Sequence, residues 1–278
     1  MINQALLDPR SIVIVGGSND IRKPGGKVLK NIIDGGFDGD LHVVNQKETT
    51  VQDIDCVPSV DDLGKVDLAI ISIPARFCPS VVKTLASEKN TRAFIILSAG
   101  FGEAGEEGRQ LEQQLADIVD GVGGCLIGPN CIGVLNPNYN GVFTSPTPKL
   151  DPMGCDLISS SGATAVFIME AGIQIGLKFA NVFSVGNRAQ VGVEDVLEYM
   201  DTHHDPTKDS PTKLLYLESI SNPEKLRMHA TSLIGKGVRI SAIKAGATEA
   251  GSRAAASHTG AITKTDKVVR ALFRKAGI

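Results

Sequence analysis

Apolar residues in this chain come in short unbroken runs that stop at glycine, serine or proline. Ser11-Ile12-Val13-Ile14-Val15 ends in Gly16-Gly17-Ser18, residues 66–72 lead into Ile73-Pro74-Ala75, and residues 93–97 end in Ser98-Ala99-Gly100-Phe101-Gly102. Runs of this kind, without polar alternation, predict strands covered on both faces, as in a parallel sheet. Helix-like stretches follow them at 26–35, 77–89 and 106–119, the last with Leu111, Leu115 and Ile118 on one face. Residues 136–140 and 144–152 are rich in Pro, Asn, Ser and Thr and read as a linker. A second series follows, with strands at 155–158, 179–185, 213–217 and 238–243 and helices at 164–175, 194–200, 223–234 and 264–275. Strand and helix alternate throughout, so the predicted class is α/β.

A length of 278 residues suits two domains, and the 30 glycines suit many strand-to-helix turns. The formal charge of -3 provides no basic field for nucleic acid or an anionic membrane. No apolar run approaches the roughly 18 to 20 residues that span a bilayer, and the start of the chain lacks a signal-peptide pattern. Five cysteines without CxxC spacing point to a reduced, cytoplasmic setting, with neither a disulfide framework nor a zinc site. His203-His204-Asp205 reads as a solvated loop and His229 as a surface residue, so no metal site is expected.

Candidate chemistry concentrates where strands end. The segment from Lys244 to Lys264 leaves the carboxyl end of a strand and consists of small residues around one imidazole, His258. It is either a flexible connection with an exposed histidine or a reactive loop, and its length of about twenty residues favours the second. Glu218, at the end of the 213–217 strand, could hold one ring nitrogen and leave the other free to attack. Ser160, Ser161, Gly162 and Ala163 open a helix, where serines either cap the helix or help bind a phosphoryl group. The Gly16-Gly17 turn could face a phosphate, but its spacing is not GxGxxG. The next strand ends at Asn45 rather than at an acidic residue, which argues against NAD. Lys23, Lys27 and Lys47 are either surface charge or partners for a ligand with several phosphates, such as coenzyme A. Cys131, from residue type alone, is a core cysteine.

The segments AAASHTGA, YLES, SIVIVGGSNDIRKPGGKVLKNIIDGGFDGDLHVVN, PARFC, SAGFGEAGEEG and GPNC-x-G-V resemble those of the NDP-forming acyl-CoA synthetases, the group that includes ADP-forming acetyl-CoA synthetase and the succinyl-CoA synthetase α subunit. The resemblance implies a Rossmann-like CoA-binding domain over 1–146, followed by a flavodoxin-like, doubly wound CoA-ligase domain over 147–278. It implies coenzyme A at Gly16, Gly17, Ser18, Asn19, Lys23, Lys47, Pro74, Ser98, Ala99 and Gly100, with Asn130 and Cys131 near its thiol end. Phosphate would lie at Ser160 to Ala163 and at Gly186 and Asn187. His258 would be the phosphoryl carrier, with Glu218 as its partner. The implied reaction converts acyl-CoA, phosphate and NDP reversibly to carboxylic acid, CoA and NTP through an acyl phosphate. No G-x-x-x-x-G-K-[ST] loop is present, and the resemblance implies that Mg-bound ADP/ATP or GDP/GTP lies at a partner ATP-grasp subunit or domain, in an oligomeric assembly. An alternative is a non-catalytic CoA-sensing module, such as part of a protein acetyltransferase. The family usually carries an acidic residue where Gln190 stands, which questions any charge-dependent role there.

Overall fold

Ser11–Val15 (β1) is buried along its whole length, as an aliphatic strand between two layers of helices must be. Asp40–Val44 (β2) lies parallel to it on one side. The chain then makes a hairpin of Thr50–Val51 (β3) and Ile54–Val57 (β4), and β4 runs parallel to β2. Leu68–Ile71 (β5) returns to the other side of β1, followed outward by Ala93–Ile96 (β6) and Cys125–Ile127 (β7). The sheet order is β3-β4-β2-β1-β5-β6-β7. Its six parallel strands follow the 3-2-1-4-5-6 order of a Rossmann fold, with the direction of winding changing between β1 and β5.

The computed structural model describes residues 1–246 and 266–278. Contacts divide them into two compact units, Met1–Ser145 with Asn187–Gln190, and Pro146–Gly186 with Val191–Ile278. The first unit also holds helices Gln4–Leu7 (α1), Pro24–Asp34 (α2), Cys78–Glu88 (α3) and Glu106–Gly121 (α4). α2 starts two residues before the predicted position. Pro24 fills its first turn, where a missing N–H and a fixed φ cost nothing. Side chains from β1, β5, β6, α3 and α4, among them Val13, Ile71, Phe94, Val82 and Leu115, form one buried cluster.

Part of the predicted linker is strand. Gly133–Asn136 (β8) and Tyr139–Val142 (β9) form an antiparallel hairpin, and the next strand already begins at Leu150. Polar composition misleads here because the polar groups bond to backbone. Asn136 Oδ1 accepts from the N–H groups of Asn138 and Tyr139, while both asparagines donate to the Leu7 carbonyl.

The second unit is built on Leu150–Ser159 (β10), Phe179–Ser184 (β11), Thr212–Leu217 (β12) and Arg239–Lys244 (β13). They form a parallel set in the order β13-β12-β10-β11. That 2-1-3-4 order is the doubly wound, flavodoxin-like pattern, with its switch point between β10 and β12. Its helices are Gly162–Gln174 (α5), Val193–Thr202 (α6), Pro223–Gly235 (α7) and Asp266–Ala276 (α8). His229 on α7 is not a surface residue. It is only 6% exposed, with Nδ1 2.8 Å from Asp201 Oδ2 of α6. Lys236 also reaches Asp201, and Lys225 reaches Asp195 and Glu198, so complementary charge joins the two helices. His203 is exposed as expected, whereas the His204 side chain is buried, with Nδ1 3.6 Å from Asp209. Among the described residues no group of three or more ligating side chains could hold a metal. No helix among them is long and apolar enough to cross a membrane.

Candidate functional site

The switch point of the first unit brings the turn after β1 beside the turn after β5. A Cβ on Gly16, which has φ +87°, would overlap the Ser72 carbonyl, and one on Gly25 would overlap the Gly16 carbonyl. Only glycine allows these backbones to meet the start of α2 so closely. The N–H of Gly16 completes the sheet by donating to Val44 O, but those of Gly17, Ser18 and Asn19 have no acceptor among the described residues. Three consecutive unpaired N–H groups beside a helix start make an anion-binding concavity. Lys23 and Lys47 are exposed and make no ion pair among the described residues.

The remaining predicted positions of this unit lie along the same carboxyl edge. Ser98 Oγ donates to Ile73 O at 2.5 Å, and Asn130 N–H donates to Ser98 O at 2.9 Å, which links the turns after β5, β6 and β7. Pro74 is exposed in the first of these turns, and Ala99 and Gly100 in the second. Cys131 is 2% exposed, its Sγ lies 3.3 Å from Ile96 O, and burial pushes its thiol up to about 12. Its side chain belongs to the core, so a ligand could meet this residue only through the main chain.

By its contacts Asn187 groups with the first unit. Its Nδ2 donates to Glu103 Oε2 and Glu112 Oε1, both at 2.5 Å, and its Oδ1 accepts from Asn130 at 3.3 Å. Glu103 Oε1 accepts from the N–H groups of Gly100 and Phe101, and Glu112 Oε1 from that of Gly102. Burial alone would raise the Glu103 carboxyl, but these donors outweigh it and hold the group below its ordinary value. Glu103, Glu112, Asn45 and Gln52 are absent from the predicted set. A carboxylate three residues past Gly100 was the available signal for the first of them.

Asn45 donates to Gly17 O at 2.8 Å and accepts from the N–H groups of Lys47 and Glu48. It supports the turn. Gln52 Nε2 donates to Ser18 O and Gly26 O, both at 2.8 Å, and its N–H donates to Asn19 Oδ1.

In the second unit, the turn after β10 reaches the end of β12, with Ser160 N–H donating to Tyr216 O at 3.0 Å. Ser159 Oγ donates to Ser161 O, and Ser161 Oγ accepts from Thr164 N–H as the N-cap of α5. The Ser160 hydroxyl is different: the residue is 7% exposed, and its Oγ has no hydrogen-bond partner among the described residues. The N–H groups of Gly162 and Ala163 at the helix start have no acceptor among the described residues. Half-buried Glu218 directly follows β12. β13 lies next to β12, with Leu217 opposite Lys244, and ends at the same edge. Gly186 follows β11 with φ +54°. His258 lies outside the described residues.

Residues 10–137 match a CoA-binding domain, and residues 152–278 match a succinyl-CoA-ligase-like flavodoxin domain. The α subunit of ADP-forming acetate–CoA ligase II from Pyrococcus furiosus is 36% identical over 276 residues, covering 98% of this chain and 58% of that subunit. The chain belongs to the NDP-forming acyl-CoA synthetase family. ADP-forming 4-hydroxybutyrate–CoA ligase from Nitrosopumilus maritimus is 32% identical across 100% of this chain and 39% of its own length. A solved structure of the dinucleotide-forming acetyl-coenzyme A synthetase 1 from Ca. Korarchaeum cryptofilum, in complex with phosphate and ADP, superposes with a TM-score of 0.89. That match has 30% identity and covers 99% of this chain and 58% of that one. The chain thus spans about two fifths to three fifths of the length of these synthetases.

Within this family the chain is the α-type part, a CoA-binding domain followed by a succinyl-CoA-ligase-like domain. Gln190 is fixed locally in the first unit. The side chain donates to Asp120 Oδ1 at 2.5 Å and accepts from Leu126 N–H at 2.7 Å. A carboxylate at this position would face Asp120 with no proton to offer.

Proposed function

We propose that the chain supplies the acyl-CoA and phosphohistidine half of a reversible NDP-forming acid–CoA ligase. Phosphate attacks the acyl-CoA carbonyl, the thiolate of CoA leaves, and an acyl phosphate forms. A neutral ring nitrogen of His258 then attacks phosphorus and releases the carboxylate. Glu218 holds the opposite N–H and stabilises the imidazolium that results. NDP finally takes the phosphoryl group and becomes NTP.

The observation that carries this reading is the shared edge of β10, β12 and β13. One parallel set carries at one edge a helix start whose first N–H groups and Ser160 hydroxyl have no partner among the described residues, Glu218 directly after β12, and the strand that precedes the His258 segment in the chain. A helix start stabilises phosphoryl oxygens without a full positive charge. Ser160, Ser161, Gly162, Ala163 and Gly186 line that edge in this reading. Asn187 is left out because both amide hydrogens face carboxylates.

Coenzyme A is assigned to the first unit. Its phosphates would meet the N–H groups of Gly17, Ser18 and Asn19, with Lys23 and Lys47 as cationic neighbours. Its arm would run past Pro74, Ser98, Ala99 and Gly100 toward Asn130. Mg-nucleotide chemistry is assigned to an ATP-grasp partner within the extra length of the relatives. The test combines the chain with such a partner and ATP labelled in its γ-phosphate. An acid-labile, base-stable label on the wild type that disappears in His258→Ala is the expected result. Label that survives the substitution refutes His258 as carrier.

A further inference from the structure

We propose that Gln52 is a positioning residue that pre-orders the Gly16–Asn19 turn for the phosphates of its ligand. The proposal rests on the assignment of coenzyme A to that turn and goes beyond it by naming what holds the turn ready. It starts from a backbone anomaly. Gln52 and Asp53 form the two-residue connection between β3 and β4, with φ +50° and +65°. Such a connection requires a left-handed backbone at both positions and is ordinarily filled by Asn-Gly, Asp-Gly or Gly-Gly. A glutamine gains nothing from that backbone, and residues kept in unfavourable regions are held there by other interactions.

Those interactions all point at the glycine turn. The Gln52 side-chain amide bridges Ser18 O and Gly26 O, which joins the turn after β1 to the first turn of α2. Its backbone N–H donates to Asn19 Oδ1, and Asn19 Nδ2 donates in return to Thr50 O at 3.2 Å. Val51, fully buried, anchors the hairpin beside them. In a trans peptide the C=O and the following N–H point in opposite directions. Fixing Ser18 O against Gln52 therefore turns the Asn19 N–H away from the hairpin. That N–H is one of the three consecutive donors with no acceptor among the described residues. Without the clasp, a turn containing two glycines can rotate these peptides freely, and an anion must order them as it binds.

The left-handed backbone allows stability and binding to be separated. Gln52→Gly removes the amide and suits the backbone, whereas Gln52→Ala removes the amide and keeps the unfavourable φ. Both variants and the wild-type chain would be titrated with coenzyme A by calorimetry, well below their melting temperatures. Hydrogen exchange at Gly17–Asn19 would be followed in parallel. The expected result is about tenfold weaker binding in both variants, corresponding to loss of one to two net hydrogen bonds. Amide exchange in the turn should be faster in both, although Gln52→Ala melts below Gln52→Gly. Binding by Gln52→Gly within twofold of wild type overturns the proposal and leaves the coenzyme A assignment standing. A wild-type chain that does not bind coenzyme A overturns that assignment and this proposal with it.

Discussion

Replacing Lys213 by methionine would remove the cation from a buried ion pair while keeping a side chain of similar length. The Lys213 and Asp156 side chains are 2% and 3% exposed, with Nζ 2.5 Å from Asp156 Oδ2. Asn181 donates to the other carboxylate oxygen, and Lys213 also donates to Ser210 O. At an effective dielectric of about 20, the charges attract by about 7 kcal/mol at that separation, set against desolvation penalties of several kcal/mol per ion. The intact pair therefore adds little net stability, but breaking it strands one charge, at a cost of about 3–5 kcal/mol. Asp156 and Lys213 face each other in the register of β10 and β12, the strands that lead into Ser160 and Glu218.

Thermal unfolding followed by circular dichroism is the suitable assay, because the chain has no tryptophan. Lys213→Met should lower the midpoint by about 10 °C, taking roughly 2–4 °C per kcal/mol for a chain of this size. Adding Asp156→Asn should recover half or more of that loss. Burial already raises the Asp156 carboxyl above its ordinary value against the pull of Lys213, and without Lys213 it should rise further. A raised carboxyl pKa in the folded state means that folding takes up a proton, so the deficit of Lys213→Met should shrink as pH falls from 7 toward 5. A deficit below about 1 kcal/mol at pH 7, or one unchanged by pH, would refute the account of a stranded carboxylate.

Gly16→Ala should abolish detectable coenzyme A binding by calorimetry and cost about 2 kcal/mol or more in stability, because the new methyl group meets the Ser72 carbonyl at a positive φ. Native protein treated with iodoacetamide at pH 8 should leave Cys78 and Cys131 intact, since burial pushes both thiols up to about 12. Mass spectrometry should find any slow modification at half-buried Cys56, and early labelling of Cys131 would contradict its burial. Asn187→Asp should cost about 2 kcal/mol at pH 7 by placing a third carboxylate between Glu103 and Glu112. The crowded acids should then have raised pKa values, so thermal stability should recover as pH is lowered through the carboxylate range.

How much of this was legible in the sequence depends on how local each signal is. Aliphatic runs closed by glycine or serine marked most of the parallel strands, because a strand covered on both faces has no polar alternation and its turn has to be tight. The resulting strand orders then placed the Gly16 turn, the Ser160 turn and Glu218 at switch points. The β3–β4 hairpin was not legible, since Gln52-Asp53 carries neither the glycine nor the asparagine that announces a two-residue turn. The β8–β9 hairpin was obscured for the opposite reason, that turn-forming residues filled a segment whose neighbours are buried strands.

Burial of polar groups was also hidden, because it depends on partners far away in the chain. Nothing near His229 indicates that Asp201 will face it from another helix, and Lys213 reads as an ordinary strand-edge lysine until Asp156 is set beside it. Asn187 shows the same limit at the functional level. Its position after β11 suggested a phosphate ligand, yet both amide hydrogens are committed to Glu103 and Glu112. An amide with no remaining donor cannot bind a phosphoryl oxygen without first leaving a carboxylate. Asn187 is therefore better placed to order the Gly100–Gly102 backbone through those two carboxylates than to take part in phosphoryl transfer, and it joins Asn45 and Gln52 among the amides that brace turns at the carboxyl edge of the first sheet.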